Sequence, residues 1–340
     1  MSRRTLLMAL LAATCAGAPE AAASAQQPPA SRPVPSCEPE SQWQGVDVSR
    51  HGGTIAAWTG GAVHLSRDGG ARFGPVPAPE HFSALAIGAG GLLYMVDSAS
   101  GLHVLRPDGS TVRRPFPYAN PGALAVRGSR LAALAEGPDG GRVLVTSVDG
   151  GRRFRLERDV DWSTQLFVEE DGVFHTVDVE VNTCTSSDIL EWIYRDTAPE
   201  IGRPSTRASY SLEQVAWATR FYPGAHGWLY AWDQRSRGLL AVTPSKALPV
   251  RGFHSTTPGW VELQVASNGR ITLAAVDGRL LSLEGSRAIV LDRHLPSGLS
   301  GLVVDPEGRA LALREHGGDV EVLRFSRRSG WSVLLPACSG

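Results

Sequence analysis

The chain is predicted to be all-β: a seven-bladed β-propeller of four-stranded antiparallel blades. Three observations predict it. Short apolar runs of strand length alternate with Gly-rich or Asp-Gly turns, and no stretch sustains an apolar helical stripe for three turns. The runs group in fours, and the group recurs seven times at steps of roughly 37 to 50 residues. An eight-residue phrase, S-x-D-x-G-x-x-F, occurs twice, 81 residues apart. A four-strand unit of this length is the sequence pattern of sheets arrayed radially. Six or eight blades are the alternatives to seven.

Residues 1–25 are expected to be a signal peptide. Ser2-Arg3-Arg4 is a basic start, Thr5 to Ala18 is apolar but too short to span a bilayer, and Ala23-Ser24-Ala25 offers the small residues of a cleavage site. Ser2-Arg3-Arg4-Thr5-Leu6-Leu7 matches the twin-arginine export pattern, and the general secretory route is the alternative. Leu11 to Cys15 is a loose lipoprotein box, with Thr14 where a smaller residue is usual, so lipid anchoring at Cys15 is a minority reading. Residues 26–36 are rich in Pro and Ala and cannot bury a core, so they read as a disordered tether. Residues 37–340 then form one propeller domain in the periplasm or outside the cell.

The first unit runs Gly45 to Ser49, Thr54 to Trp58, Ala62 to Leu65, the turn phrase, and Phe73 to Val76. The same order restarts at Phe82, Ala123, Gln165, Val215, Val261 and Ser300. First strands are small and apolar, as in Ala84 to Gly88 and Ala123 to Val126, which suits crowding around an axis. The turn phrase is complete in units 1 and 3, as Ser66, Asp68, Gly70, Phe73 and as Ser147, Asp149, Gly151, Phe154. Arg106 to Ser110 and Ser326 to Trp331 are degraded copies. Serine and aspartate can bond the backbone of a tight turn, the glycines supply positive φ, and the aromatic packs between sheets. These eight residues are therefore read as structural.

The phrase resembles the Asp-box, the hairpin turn of BNR repeats. The resemblance covers about 300 residues at the level of repeat pattern. It implies a propeller and brings sialidases into view. Those enzymes carry Arg-Ile-Pro or Arg-Leu-Pro, an arginine triad and a Tyr/Glu pair on six blades. Neither tripeptide occurs here; Arg114-Pro115 and Arg203-Pro204 lack the middle residue. No catalytic residue carries over. The resemblance extends to photosystem II assembly factors and other propellers that act as platforms.

Charge names no partner. The chain has 33 basic and 34 acidic residues, and no block of like charge. Nucleic acid and anionic membranes are not expected partners. Lys246 is the only lysine, a bias expected of a GC-rich bacterial genome. No elbow, zincin, Walker or dinucleotide motif is present, and no cofactor or metal is expected. His175, Asp178 and Glu180 share one strand, but alternation turns His175 away from the other two.

Past the leader, Cys37, Cys184 and Cys338 remain. The first unit opens on an innermost strand and the last ends on its own outermost strand, so no strand need be exchanged to close the ring. A Cys37–Cys338 disulfide would hold the ends together; pairing through Cys184 is the rival. Units 4 and 5 concentrate aromatics, and Thr197 to Ser211 reads as a loop over one face. Arg220, Tyr222, His226 and Trp228 are the candidate binding residues, with inter-blade packing as their alternative role. The leading function is a non-catalytic, monomeric scaffold for an unknown protein or glycan partner. The alternative is a glycan-active hydrolase or lyase with its site in the axial channel.

Overall fold

The computed structural model describes residues 42–337, apart from 50–52, 60, 80, 98, 100, 161–164, 169–173, 183–188, 198–207, 213–220, 234–235, 244–245 and 258–260. The signal-peptide and tether segments lie outside these residues, as do Cys37, Cys184, Cys338 and Val215. Among the described residues the strands pair into seven four-stranded sheets, each an antiparallel meander in chain order. We number the sheets one to seven along the chain. Among the described residues helix is confined to two single 3-10 turns, Ala89–Gly91 and Ala225–Gly227. Ala208–Leu212 is the fourth strand of sheet four, so the segment expected as a loop from Thr197 to Ser211 contains a strand. A strand edge left open by the long third strand, Ile189–Thr197, explains it: Leu190 to Tyr194 pair with Leu212 to Ala208.

The first strands of the sheets are Gly45–Val48, Phe82–Ile87, Ala119–Arg127, Gln165–Val168, Phe221–Pro223, Leu263–Ser267 and Leu299–Val304. First strands of successive sheets touch from one to two, two to three, three to four, five to six and six to seven, and that of sheet seven touches that of sheet one. Sheets one, two, three, six and seven thus have a neighbour against each face, and composition follows. The second strands of sheets one, three, six and seven are alanine-rich: Ala56 and Ala57, Ala132, Ala133 and Ala135, Ala274 and Ala275, Ala310 and Ala312, all buried. Small side chains let two sheets press on one strand, and burial on both faces erases polar alternation. The fourth strands of sheets two and three are more exposed. Thr111–Pro115 and Arg155–Val160 carry arginines on an exposed outer edge, which discourages edge-to-edge pairing.

The core is a set of separate clusters in the gaps between sheets. Tyr94, Val96, Leu102 and Phe116 of sheet two meet Leu131, Ala133, Val143 and Val145 of sheet three. Trp232 and Leu239 of sheet five pack near Phe253 with Leu281 and Leu283 of sheet six.

The gap between sheets seven and one is filled in the same way. Trp43, Val46, Ile55 and Ala57 pack with Leu311, Leu313, Val322 and Leu334. The indole Nε1–H of Trp43 donates to the Pro336 carbonyl at 3.0 Å. Gln42 donates to the Gly318 carbonyl, and Arg324 to the Gly69 carbonyl. Packing and hydrogen bonds thus join the two ends of the described chain.

His64 lies at this seam, 1 % exposed, edge-on to the Trp43 ring at 5.2 Å. Its Nδ1 has no hydrogen-bond partner. Burial holds its pKa below the ordinary imidazole value of 6.5. The folded state therefore prefers neutral imidazole. The stability this contributes is intact above the unfolded value and is lost as pH falls below it toward the folded value. Urea midpoints at pH 8 and pH 5 are expected to differ more in the native chain than in His64→Gln. An equal difference in both would contradict this.

Candidate functional site

The two complete turn phrases fold alike. The Ser66 hydroxyl donates to Asp68 Oδ1 at 2.8 Å and accepts from Gly70 N at 2.8 Å. Asp68 Oδ1 also accepts from Ala71 N and Arg72 N at 3.0 Å. In sheet three, Ser147 donates to Asp149 at 2.9 Å and accepts from Gly151 N at 2.9 Å. Asp149 accepts from Arg152 N and Arg153 N at 2.9 and 3.0 Å. Backbone N–H groups, Arg72 for Asp68 and Arg153 for Asp149, hold these carboxylates below their usual range. Gly69, Gly70, Gly150 and Gly151 all take φ between 72° and 87°.

Each turn also touches the preceding sheet. Arg324 of sheet seven donates to Gly69 O, and Arg114 of sheet two to Gly150 O. Gly70 faces Leu334 of sheet seven, and Gly151 faces Leu102 of sheet two. Phe154 stacks edge-on against Phe116 of sheet two, with ring centroids 4.9 Å apart. The turn is thus a clasp between neighbouring sheets. In the degraded copies Asp108 accepts from Ser110, and Ser326 from Ser329 N.

The axial channel holds a cavity of about 270 Å³, lined by first strands of sheets one, two, three, six and seven. Its described lining is mostly Val, Ile, Leu and Ala, with Asp47, Ser267 and Asn268 as the polar side chains. Asp47 accepts from Val48 N at 2.8 Å and from Ile87 N at 3.3 Å, tying sheet one to sheet two. Asn268 donates to Asp305 O at 2.7 Å and accepts from Arg270 N and Ile271 N at 3.0 and 2.9 Å. Asp47 is the one carboxylate among the described residues lining this cavity. General acid–base cleavage of a glycoside uses two, about 5 to 10 Å apart. Among the described residues no cluster of three metal-ligating side chains occurs. No helix among them is long and apolar enough to cross a membrane.

The aromatic region is placed in part. Arg220 lies outside the described residues. Tyr222 and Trp228 are half-buried and pack against the cluster between sheets five and six. The Trp228 ring lies over Gly285 of sheet six. His226 is exposed, at φ 58°. His226 and Trp228 belong to a repeat that only the structure makes conspicuous. Gly88-Ala-Gly-Gly-Leu-Leu-Tyr94 and Gly224-Ala-His-Gly-Trp-Leu-Tyr230 read G-A-x-G-x-L-Y, 136 residues apart. Both close a 3-10 turn with the first Gly N–H bonded to the fifth residue's carbonyl, at 2.8 and 2.7 Å. The third position is Gly90 at φ 67° or His226 at φ 58°. The Tyr230 hydroxyl continues to Gly285 O at 3.0 Å. His226 therefore caps a turn whose flanking residues serve packing.

Neither a protein-family model nor a curated protein sequence matches the chain. Solved structures do match in shape. The β-propeller domain of the Trilobed protease from Pyrococcus furiosus, described as having an open velcro topology, aligns over 88 % of this chain and 99 % of its own, with a TM-score of 0.61 and 10 % identity. YCF48 from Cyanidioschyzon merolae aligns over 86 % and 98 %, with a TM-score of 0.53 and 14 % identity. A puromycin-hydrolyzing peptidase from Mycobacterium tuberculosis gives a TM-score of 0.59 at 13 % identity, over 87 % of this chain. The chain spans about half, 53 %, of that peptidase. At these identities the likeness concerns architecture alone, and with the seven-sheet inventory it identifies the fold as a β-propeller.

Proposed function

We propose that this chain is an exported, non-catalytic β-propeller of the Asp-box class that binds a partner through its face loops and channel mouth. In this reading the seven sheets close as seven blades, residues 1–25 are the export signal, 26–36 the tether and 37–340 the single domain. The Cys37–Cys338 bond covers the seam from outside, and the mature protein is a monomer in the periplasm or beyond the cell.

One observation carries the non-catalytic part. The carboxylate in the described channel lining, Asp47, is held by two backbone N–H groups, and the aspartates of both turn phrases are held the same way. Those groups serve architecture. A second observation supports binding: another YCF48 structure, with a TM-score of 0.53, is described as bound to a D1 peptide.

The test is a glycan array and an envelope pull-down with the mature chain, each hit rebuilt from purified components. Saturable binding with the ligand recovered unchanged by mass spectrometry is expected. Release of a cleaved product from any bound ligand overturns the proposal in favour of a hydrolase or lyase.

A further inference from the structure

A second cavity adjoins the channel, where the turns between first and second strands of sheets one, two and three converge. Its volume is about 350 Å³. We propose that it is a binding site for an oxyanion, a phosphoryl or carboxylate group. Two guanidinium groups, Arg67 and Arg127, line it, together with the buried residues Ser49 and Thr54. No described lining residue is acidic. The cavity of about 370 Å³ between sheets six and seven, by contrast, carries Glu262 and Asp277.

Arg67 explains the choice of ligand. Its Nη1 donates to Gly91 O and its Nη2 to Arg106 O, both at 3.3 Å. Those carbonyls belong to two different turns of sheet two. They position the guanidinium without neutralising it, because a carbonyl carries no net charge. A guanidinium has five N–H donors in a planar fork, so donors remain for a ligand. Charge-assisted bonds from such a fork to an oxyanion are short and strong. Glycines supply much of the remaining lining: Gly88, Gly90, Gly91 and Gly128 leave the backbone bare, so a ligand can approach closely. The inference does not rest on the scaffold reading, since an enzyme would carry the same cavity.

Calorimetric titration of the full chain with inorganic phosphate, and in parallel with acetate, tests it at chloride-balanced ionic strength. Saturable one-to-one binding of at least one anion is expected, weakened about tenfold or more in Arg67→Gln. Gly90→Asp provides an arm that spares the arginines. A Cβ at Gly90 meets nothing within 4 Å, and His226 shows that the matching turn accepts a side chain at positive φ. The added carboxylate should weaken binding by a similar factor, whereas the neutral Gly90→Asn retains it. No saturable heat with either anion, unchanged affinity in Arg67→Gln, or equal losses in Gly90→Asp and Gly90→Asn would each overturn the proposal.

Discussion

Trp43→Ala is expected to destabilise the folded chain by about 4 kcal/mol. Trp43 is 2 % exposed and sits before the first strand, yet it packs into the cluster shared by sheets one and seven. Removing it opens a cavity where the chain's two ends meet. It also strips the Pro336 carbonyl of its indole partner. Trp43→Phe keeps most of the packing and loses that bond, so about 1 kcal/mol plus a small repacking term is expected. Guanidinium unfolding followed by far-ultraviolet dichroism measures both. A loss below about 1 kcal/mol for the alanine variant would contradict a packed seam. Reductant separates packing from covalent closure: the apolar seam survives it, and the proposed Cys37–Cys338 bond does not.

The all-β class and the four-strand unit were legible because each depends on short-range pattern. Strand length, alternation and turn glycines are local, and Gly70 or Gly151 announces its turn within eight residues. The seam was not legible, because Trp43 finds Pro336 across 293 positions and no local pattern links them. Asp47 reads as an ordinary polar residue in a strand until Ile87 N is placed beside it. The aromatic concentration around Trp228 is visible in the sequence, but its direction is not. Whether such a ring faces solvent or the next sheet depends on the turn of sheet six that supplies Gly285. The repeat G-A-x-G-x-L-Y stands in the sequence too. Its meaning lies in bonds that close each turn and aim the tyrosine at the following sheet. The cavity with Arg67 and Arg127 is a product of three converging turns and has no linear signature.

The clasp geometry makes the second glycine of each turn phrase less replaceable than the first. At Gly150 an added Cβ meets nothing nearer than Arg114 Nη1 at 3.3 Å, so Gly150→Ala bears chiefly the penalty of φ 75°, about 1 to 2 kcal/mol. At Gly151 the φ is 85°, and the Cβ would fall 2.1 Å from Leu102 Cδ2. Leu102 is fully buried in the cluster between sheets two and three, so it has nowhere to swing. Overpacking adds about 1 to 3 kcal/mol to the same φ penalty, and Gly151→Ala is expected to lose about 2 to 5 kcal/mol in all. Leu102→Ala in the same chain would empty the space the new methyl needs, so the double variant should lose less than the sum of the singles by about 1 kcal/mol or more. Urea unfolding of the four proteins tests this. Equal losses at Gly150 and Gly151, or strict additivity with Leu102→Ala, would mean that the turn does not press on the sheet before it. The clasp would then reduce to a hairpin that merely tolerates its neighbour.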